Sequence, residues 1–199
     1  MKVVILGPDG AGKSSVIQGL MINVNRMGQI ATVRHLKPFL FAKRHVDGDI
    51  NIAPHGKQPR SSFTSLVKIL VWLIEEWYAY LVRDKRNELL ICDRYYHDIL
   101  IDSRRYRYGG PIWTAKLVGA LIPQPTLWVL LDATTEILQK RKQEVSTEET
   151  ARQRQAYLDF VRSKRNHVII DASQPLDNVI ADVVHAVSRT VYKYKCNRG

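Results

Sequence analysis

Short runs of β-branched and aliphatic residues alternate along the chain with longer stretches whose apolar positions recur every three or four residues. The runs expected as strands are Val3–Leu6, Ile30–Arg34, Glu88–Cys92, Thr126–Leu131 and Val168–Ile170. Between and after them the spacing predicts helices over Ser14–Met27, Phe63–Leu81, Trp113–Leu121, Thr135–Gln143, Thr147–Arg162 and Asp177–Tyr192. Strand and helix in alternation imply crossover connections, hence a parallel sheet covered by helices. In the longest helix Phe63, Leu66, Val67, Leu70, Leu73, Ile74, Trp77 and Leu81 share one face, which is expected to join the core. Two stretches break the alternation: residues 37–61, with Asp47-Gly48 and several prolines, and residues 102–112, with Gly109-Gly110-Pro111. Both are expected as loops over the open side of the sheet, at the strand ends where such sheets bind ligands. No internal repeat is visible.

The first strand runs directly into Gly7-Pro8-Asp9-Gly10-Ala11-Gly12-Lys13-Ser14-Ser15, which satisfies the spacing G-x-x-x-x-G-K-S/T. Glycines let the backbone curl until successive N–H groups converge on phosphate oxygens, and the helix that follows turns its positive end toward the same anion. Lys13 is then placed to reach the β- and γ-phosphates of a nucleoside triphosphate, and the Ser14 hydroxyl to take a magnesium position. A glycine-rich turn with a chance lysine is the bland alternative; the strand before and the helix after weigh against it. A second constellation, Glu88-Leu-Leu-Ile-Cys-Asp93-Arg94-Tyr95-Tyr96, ends an apolar strand in an acid and a base. Asp93 is the candidate for the magnesium of the nucleotide, directly or through water, and Arg94 for a transferring or accepting phosphate.

The 199 residues fit one α/β domain with a sizeable core. Thirty Lys and Arg against nineteen Asp and Glu leave a net charge of +11, which favours anionic partners such as nucleotides, nucleic acid or a membrane surface without choosing among them. Cys92 and Cys196 point to neither a disulfide framework nor a metal site, and His35, His45 and His55 lack metal-ligand spacing. The strand at the N-terminus leaves no room for a cleavable signal, so a cytoplasmic location is expected. Lys68, Glu75 and Glu76 interrupt the most apolar stretch, Leu66–Leu81, and argue against a membrane span.

On these motifs the chain resembles the thymidylate kinase-like branch of the P-loop nucleoside monophosphate kinases. The matches are the phosphate loop with its acid at Asp9, Asp93-Arg94-Tyr95, the strand ending in Asp132, and Thr135–Arg154 with Arg141, Arg152 and Arg154. The resemblance implies a three-layer α/β/α fold, a five-stranded parallel sheet in the order 2-3-1-4-5, ATP and Mg2+ as cofactors, and a small-molecule phosphate acceptor. It further implies a donor cradle of Gly7, Asp9, Gly10, Ala11, Gly12, Lys13, Ser14 and Ser15, with Asp9 facing the acceptor's sugar and Arg94 its phosphate. Arg141 or Arg152 would close from a lid at about 140–154, and a homodimer through helices beside the active site is suggested. The insertion at about 37–62 is assigned to the acceptor side, and residues 193–199 to a basic tail.

Departures concentrate on the acceptor side. Where thymidylate kinases carry Arg-Glu-Pro-Gly-Gly this chain reads Val33-Arg34-His35-Leu36-Lys37-Pro38, so Arg34 is the substitute for the missing grip. Arg104, Arg105 and Arg107, interleaved with Tyr106 and Tyr108, form the densest basic and aromatic cluster, and Arg104 and Arg107 join the acceptor candidates. A divergent bacterial group with the same Asp-Arg-Tyr-Tyr and Arg-Tyr-Arg-Tyr-Gly-Gly wording is the nearer likeness. A nucleoside monophosphate is the expected acceptor. A hydroxyl acceptor, with His97 and Asp98 as a proton relay, stays open, as do a non-catalytic ATP switch and a nucleic-acid binder.

Overall fold

The computed structural model describes residues 1–36, 60–83 and 88–196. The expected insertion at about 37–62 therefore lies almost wholly outside the described residues, as does the end of the basic tail. Contacts group the chain into two compact units, Met1–His35 with Arg86–Tyr95 and Pro125–Gly199, and Leu36–Lys85 with Tyr96–Gln124.

The first unit is built on a sheet of Lys2–Leu6 (β1), Ala31–His35 (β2), Leu89–Asp93 (β3), Leu127–Asp132 (β4) and His167–Asp171 (β5). All pairings are parallel and the order is β2-β3-β1-β4-β5, as the family resemblance implied. β1, β3 and β4 are apolar at nearly every position because both of their faces are covered. On one face Val3, Ile5, Ile91, Val129 and Leu131 pack with Val16 and Leu20 of Lys13–Arg26 (α1) and with Val179, Val183 and Val187 of Leu176–Cys196. Each such side chain, fully buried, contributes about 1.5–3 kcal/mol. On the other face Trp128 meets Tyr95 edge-on at 5.7 Å and Phe160 at 5.2 Å. Phe160 belongs to the helix Thr147–Arg162, so helices lie on both sides of the sheet. That helix starts where Ser146 Oγ accepts the Glu149 N–H at 3.3 Å, and Glu148 and Glu149 complement the positive end of the helix.

The second unit holds Ser62–Arg83 (α2), the short turn of helix Asp98–Ile101 (α3) and Ile112–Leu121 (α4). The remaining helices of the first unit are accordingly Thr135–Arg141 (α5), Thr147–Arg162 (α6) and Leu176–Cys196 (α7). α2 has the expected length, but its expected inward face is wrong. Ser65, Ile69, Trp72 and Glu76 are the buried positions, whereas Phe63, Val67, Leu70, Ile74, Trp77 and Leu81 are exposed. Apolar residues occupy most of the helix circumference, so periodicity alone does not say which stripe the core takes. The largest side chain that finds aromatic partners decides it: Trp72 packs edge-on against Tyr96 at 5.7 Å and Tyr106 at 5.9 Å.

α7 runs to Cys196, past the expected end at Tyr192, so Lys193 and Lys195 sit in its last turn, where the helix dipole favours cations. Cys92 is a buried thiol and Cys196 an exposed one. Among the described residues no helix is long and apolar enough to cross a membrane.

Gly7 closes the junction of β1 with β4. Its φ is +152° and a Cβ there would stand 2.7 Å from the backbone oxygen of Leu131. Gly7→Ala is therefore expected to cost about 1–3 kcal/mol, read as a lowered midpoint in urea unfolding; an unchanged midpoint would show that the junction yields freely.

Candidate active site

Beyond β1 the chain turns through Gly7, Gly10 and Gly12, with φ of 152°, 85° and 82°. The left-handed values at Gly10 and Gly12 suit glycine, and at Gly10 a Cβ would also meet the Leu138 backbone oxygen at 2.6 Å. At Gly12 a Cβ would meet nothing within 4 Å, so the mouth of the loop is open. Lys13 is buried, and its Nζ donates to the carbonyls of Gly7 at 2.7 Å and Pro8 at 2.8 Å. The first turn of α1 carries no acidic residue that would neutralise the N-terminal end of its dipole. A cradle of this shape, open at the mouth and cationic inside, fits the phosphates of a nucleotide.

The tip of β3 faces this loop. Register places Asp93 beside Ile5, and the Arg94 N–H donates to the Ile5 carbonyl at 3.0 Å. Arg94 then turns with φ 68°, and its guanidinium donates from Nη2 to Asp9 Oδ1 at 2.6 Å and from Nη1 to the Tyr157 hydroxyl at 2.9 Å. The Arg94 and Asp9 side chains are only 11% and 13% exposed. Asp93 Oδ2 lies 3.0 Å from His35 Nδ1, while its Oδ1 is buried with no hydrogen-bond partner among the described residues. A buried carboxylate oxygen in that state costs about 1–3 kcal/mol, so the position fits a magnesium ion or its water shell. Ser14, the second residue expected at the magnesium, is exposed at the start of α1. Among the described residues no three His, Cys, Asp or Glu side chains gather into a metal cluster.

The arginines expected in a lid divide by partner. Arg154 grips Asp132 at the tip of β4 with two bonds, 2.7 Å from Nε and 2.8 Å from Nη2, and that carboxylate raises the arginine's pKa. Arg152 makes a two-point contact with Glu149 three residues away, on an exposed face. Arg141 Nη1 donates to the Ala172 carbonyl at 2.7 Å. With Ala11, Gly12, Gln174 and Leu176, Arg141 lines a cavity of about 260 Å³ next to the phosphate loop. A larger cavity, about 780 Å³, runs along β5 and α7, and no phosphate-loop residue lines it.

The structure thus brings Lys13, Asp9, Asp93 and Arg94 together at the loop, with Gly12 and Arg141 on the adjoining cavity. Arg34 pairs in register with Cys92, which puts it on the opposite sheet face from His35 and Asp93. There it tempers the upward pKa shift that burial imposes on Tyr95. Arg104 and Arg107 belong to the second unit, where Arg107 adopts φ 52° and its N–H donates to the Arg104 carbonyl at 2.9 Å. His97 Nε2 lies 3.0 Å from the Gly119 carbonyl, and Asp98 Oδ2 accepts from the Tyr106 hydroxyl at 2.8 Å, so different partners hold the two. Sequence reading did not single out Tyr157 or the Asp132–Arg154 pair and gave His35 no role. For His35 a signal existed, since it ends its strand as Asp93 ends the neighbouring one.

No family model matches the chain. It is similar, however, to curated proteins named thymidylate kinase. That of Pediococcus pentosaceus is 26% identical over 92% of this chain and 94% of its own length. The Limosilactobacillus reuteri protein is 26% identical over 89% and 90%. The Mycoplasmoides gallisepticum protein is 25% identical over 98% and 97%. The likeness therefore spans both units.

Arg154 and Arg152 are expected to behave differently on truncation. Arg154→Met leaves the partly buried Asp132 carboxylate without its fork and is expected to cost about 1–3 kcal/mol in urea unfolding. Arg152→Ala, on an exposed helical pair, is expected to stay within about 0.5 kcal/mol. Equal effects would show that the Asp132 contact is no stronger than a surface pair.

Proposed function

We propose that this chain, a divergent relative of the thymidylate kinases, is an ATP-dependent phosphotransferase that moves the γ-phosphate of ATP to the phosphate of a nucleoside monophosphate. The observation that carries this reading is the Arg94 guanidinium, clamped between Asp9 of the phosphate loop and Tyr157 of α6, beside an Asp93 oxygen that is buried with no hydrogen-bond partner among the described residues. A loop that only binds ATP needs no second oriented cation at its rim.

Gly7, Gly10, Ala11, Gly12, Lys13, Ser14 and Ser15 hold the triphosphate, and the cavity at Gly12, Arg141 and Gln174 takes the donor's base. Lys13 exchanges the Gly7 and Pro8 carbonyls for phosphate oxygens, a gain because charge-assisted bonds to an anion are about twice as strong as neutral ones. Magnesium, held by Ser14 and by Asp93 directly or through water, would offset charge on the transferring group. Asp9 and Tyr157 fix the plane of the Arg94 fork so that it meets the acceptor phosphate in one orientation, which supplies the positioning on which phosphoryl transfer depends. The acceptor's sugar lies toward Asp9. Arg34, Arg104 and Arg107 remain acceptor candidates on sequence grounds. A phosphate acceptor suits the site better than a hydroxyl, since a phosphate monoester is already largely deprotonated at neutral pH and asks for no general base.

The test is ADP release with ATP and magnesium against a panel of nucleoside monophosphates, nucleosides and sugar phosphates. Stimulation by one or more nucleoside monophosphates is expected, and Lys13→Ala should lower it by about 10²-fold or more, the usual loss for a group that faces developing charge. Wild-type protein that releases no extra ADP with any acceptor would refute the reading. A nucleic-acid binder would instead keep its affinity in Lys13→Ala and lose it steeply with salt.

We also propose a homodimer through the second unit. Leu70, Ile74, Trp77 and Leu81 of α2 and Trp113, Leu117 and Leu121 of α4 are exposed, and the Trp77 Nε1–H donates to the Leu121 carbonyl at 3.0 Å, which joins the two rows. An apolar face of that extent marks an interaction surface. Light scattering behind a sizing column should give twice the chain mass, and Leu70→Glu with Ile74→Glu should return a folded monomer; a wild-type monomer at micromolar concentration would refute the pairing.

A further inference from the structure

We infer that the open edge of β5 docks an extended acidic segment of a partner protein, which adds to the sheet as a further strand. The inference concerns the first unit alone and does not depend on phosphotransfer at its loop.

β5 ends the sheet, and among the described residues its ladder partner is β4. The bonds at its two ends show which backbone groups that pairing uses. The Asn166 carbonyl accepts the Trp128 N–H at 3.0 Å, and the Ala172 N–H donates to the Asp132 carbonyl at 2.6 Å. Backbone groups of a strand alternate in direction, so those of Asn166, Val168, Ile170 and Ala172 serve β4, while those of His167, Ile169 and Asp171 turn outward. The Asp171 carbonyl accepts from Gln174 Nε2 at 3.2 Å, whereas the His167 and Ile169 backbone groups have no hydrogen-bond partner among the described residues. Register with β4 is unbroken and β5 holds no proline, so neither a bulge nor a missing N–H guards this edge.

The cavity of about 780 Å³ lies along that edge. Every residue from 165 to 171 lines it, where a cavity on one face of the sheet would touch alternate residues. The facing wall is α7, through Asp182, His185, Arg189 and Lys193, at steps of three and four on one helical face. That stretch of helix and β5 are each about 16 Å long, so the groove is strand-shaped.

Charge divides along it. Asp171 takes the Ser173 N–H at 2.8 Å and hydroxyl at 2.6 Å, and Asp182 accepts from Gln174 Nε2 at 3.5 Å, which gathers both acids at the end of β5. Because α7 packs back along β5, Arg189 and Lys193 come level with Arg165 at the start of the strand. The dipole of α7 accounts for Lys193 but not for Arg165. None of these three side chains has a hydrogen-bond or ion-pair partner among the described residues. A second copy of the same edge would set these cations against their own kind, and residues 197–199 bring an arginine and no acid. A strand that carries carboxylates to that end meets both the free backbone groups and the free charges.

The probe is a fluorescein-labelled peptide of alternating Glu and Val, about eight residues long, the length of an ordinary strand. Anisotropy on full-length protein should show it at least about tenfold tighter than its Lys and Val counterpart, and Arg189→Glu with Lys193→Glu should reverse that order. A Glu and Val peptide methylated on alternate backbone nitrogens should bind at least about tenfold more weakly, since it cannot complete a ladder. By NMR hydrogen exchange the Ile169 amide should slow about tenfold at ten times Kd, a local reading that peptide held at Lys13 does not give. No association at about 1 mM peptide, equal affinity for the methylated form, or an Ile169 amide that exchanges at its free rate would overturn the proposal. Displacement by citrate at constant ionic strength would assign the groove to small anions and overturn it too. ADP release reads the other site, so either reading can fail without the other.

Discussion

The bond between Arg94 and Asp9 organises the candidate site. It joins residues 85 positions apart in sequence, and it exists because β1 and β3 are adjacent and parallel. That register puts the end of β3 next to the start of the phosphate loop; the left-handed turn at Arg94 then sends the side chain across the gap. Every other group in the site is placed relative to this pair. Tyr157 braces the guanidinium from α6, His35 takes one oxygen of the neighbouring Asp93, and Lys13 lies in the loop that carries Asp9. A sheet in another order would leave the acid and the guanidinium on separate edges.

A largely buried ion pair of this kind adds little to stability, because desolvation of both charges offsets most of their attraction. Its value lies in orientation. A guanidinium bonded at Nη1 and Nη2 cannot rotate, so its plane is set before any acceptor arrives, and positioning is the larger part of what phosphoryl transfer asks of a protein. The same economy governs the neighbouring strand tip. Arg154 holds Asp132 with two bonds, whereas Asp93 keeps a buried oxygen with no hydrogen-bond partner among the described residues. Two acids at equivalent ends of parallel strands thus have different chemistry available to them.

Much of this was legible in sequence because it is local. Apolar runs gave the strands to within a residue or so, and the phosphate loop reads directly from glycine spacing and the lysine that follows. What escaped depends on contacts that no local pattern encodes. Tyr157 reads as one more apolar position of α6, and only the fold brings its hydroxyl to a residue 63 positions earlier. Arg154 enters by resemblance as a lid arginine, and no local pattern gives its partner, which lies 22 positions back at a strand end. The face of α2 failed for another reason: a helix apolar on several sides has a period but no unique inward direction. The buried stripe that contains Trp72 was chosen by Tyr96 and Tyr106, residues whose contact with the helix its own spacing does not encode.

The net charge of +11 can now be sorted by what each cation touches. Arg154 and Arg152 face carboxylates through two-point contacts and are committed to them. Lys13, Lys68 and Arg141 donate to backbone carbonyls, which are neutral. An anion that arrives at an arginine of the first kind must displace another anion; at a cation of the second kind it replaces a weaker acceptor with a stronger one. Cations on carbonyls are therefore the ones poised to exchange partners, and they lie in the phosphate loop, on the cavity beside it and in the second unit; Arg94, which faces the Asp9 carboxylate, is in the proposed site a fixed fork that an acceptor phosphate joins rather than one that trades its partner. At those positions an arriving phosphate would replace a neutral acceptor, which a diffuse positive surface does not offer. That distinction separates an enzyme for small anions from a protein that holds a polyanion by charge density alone.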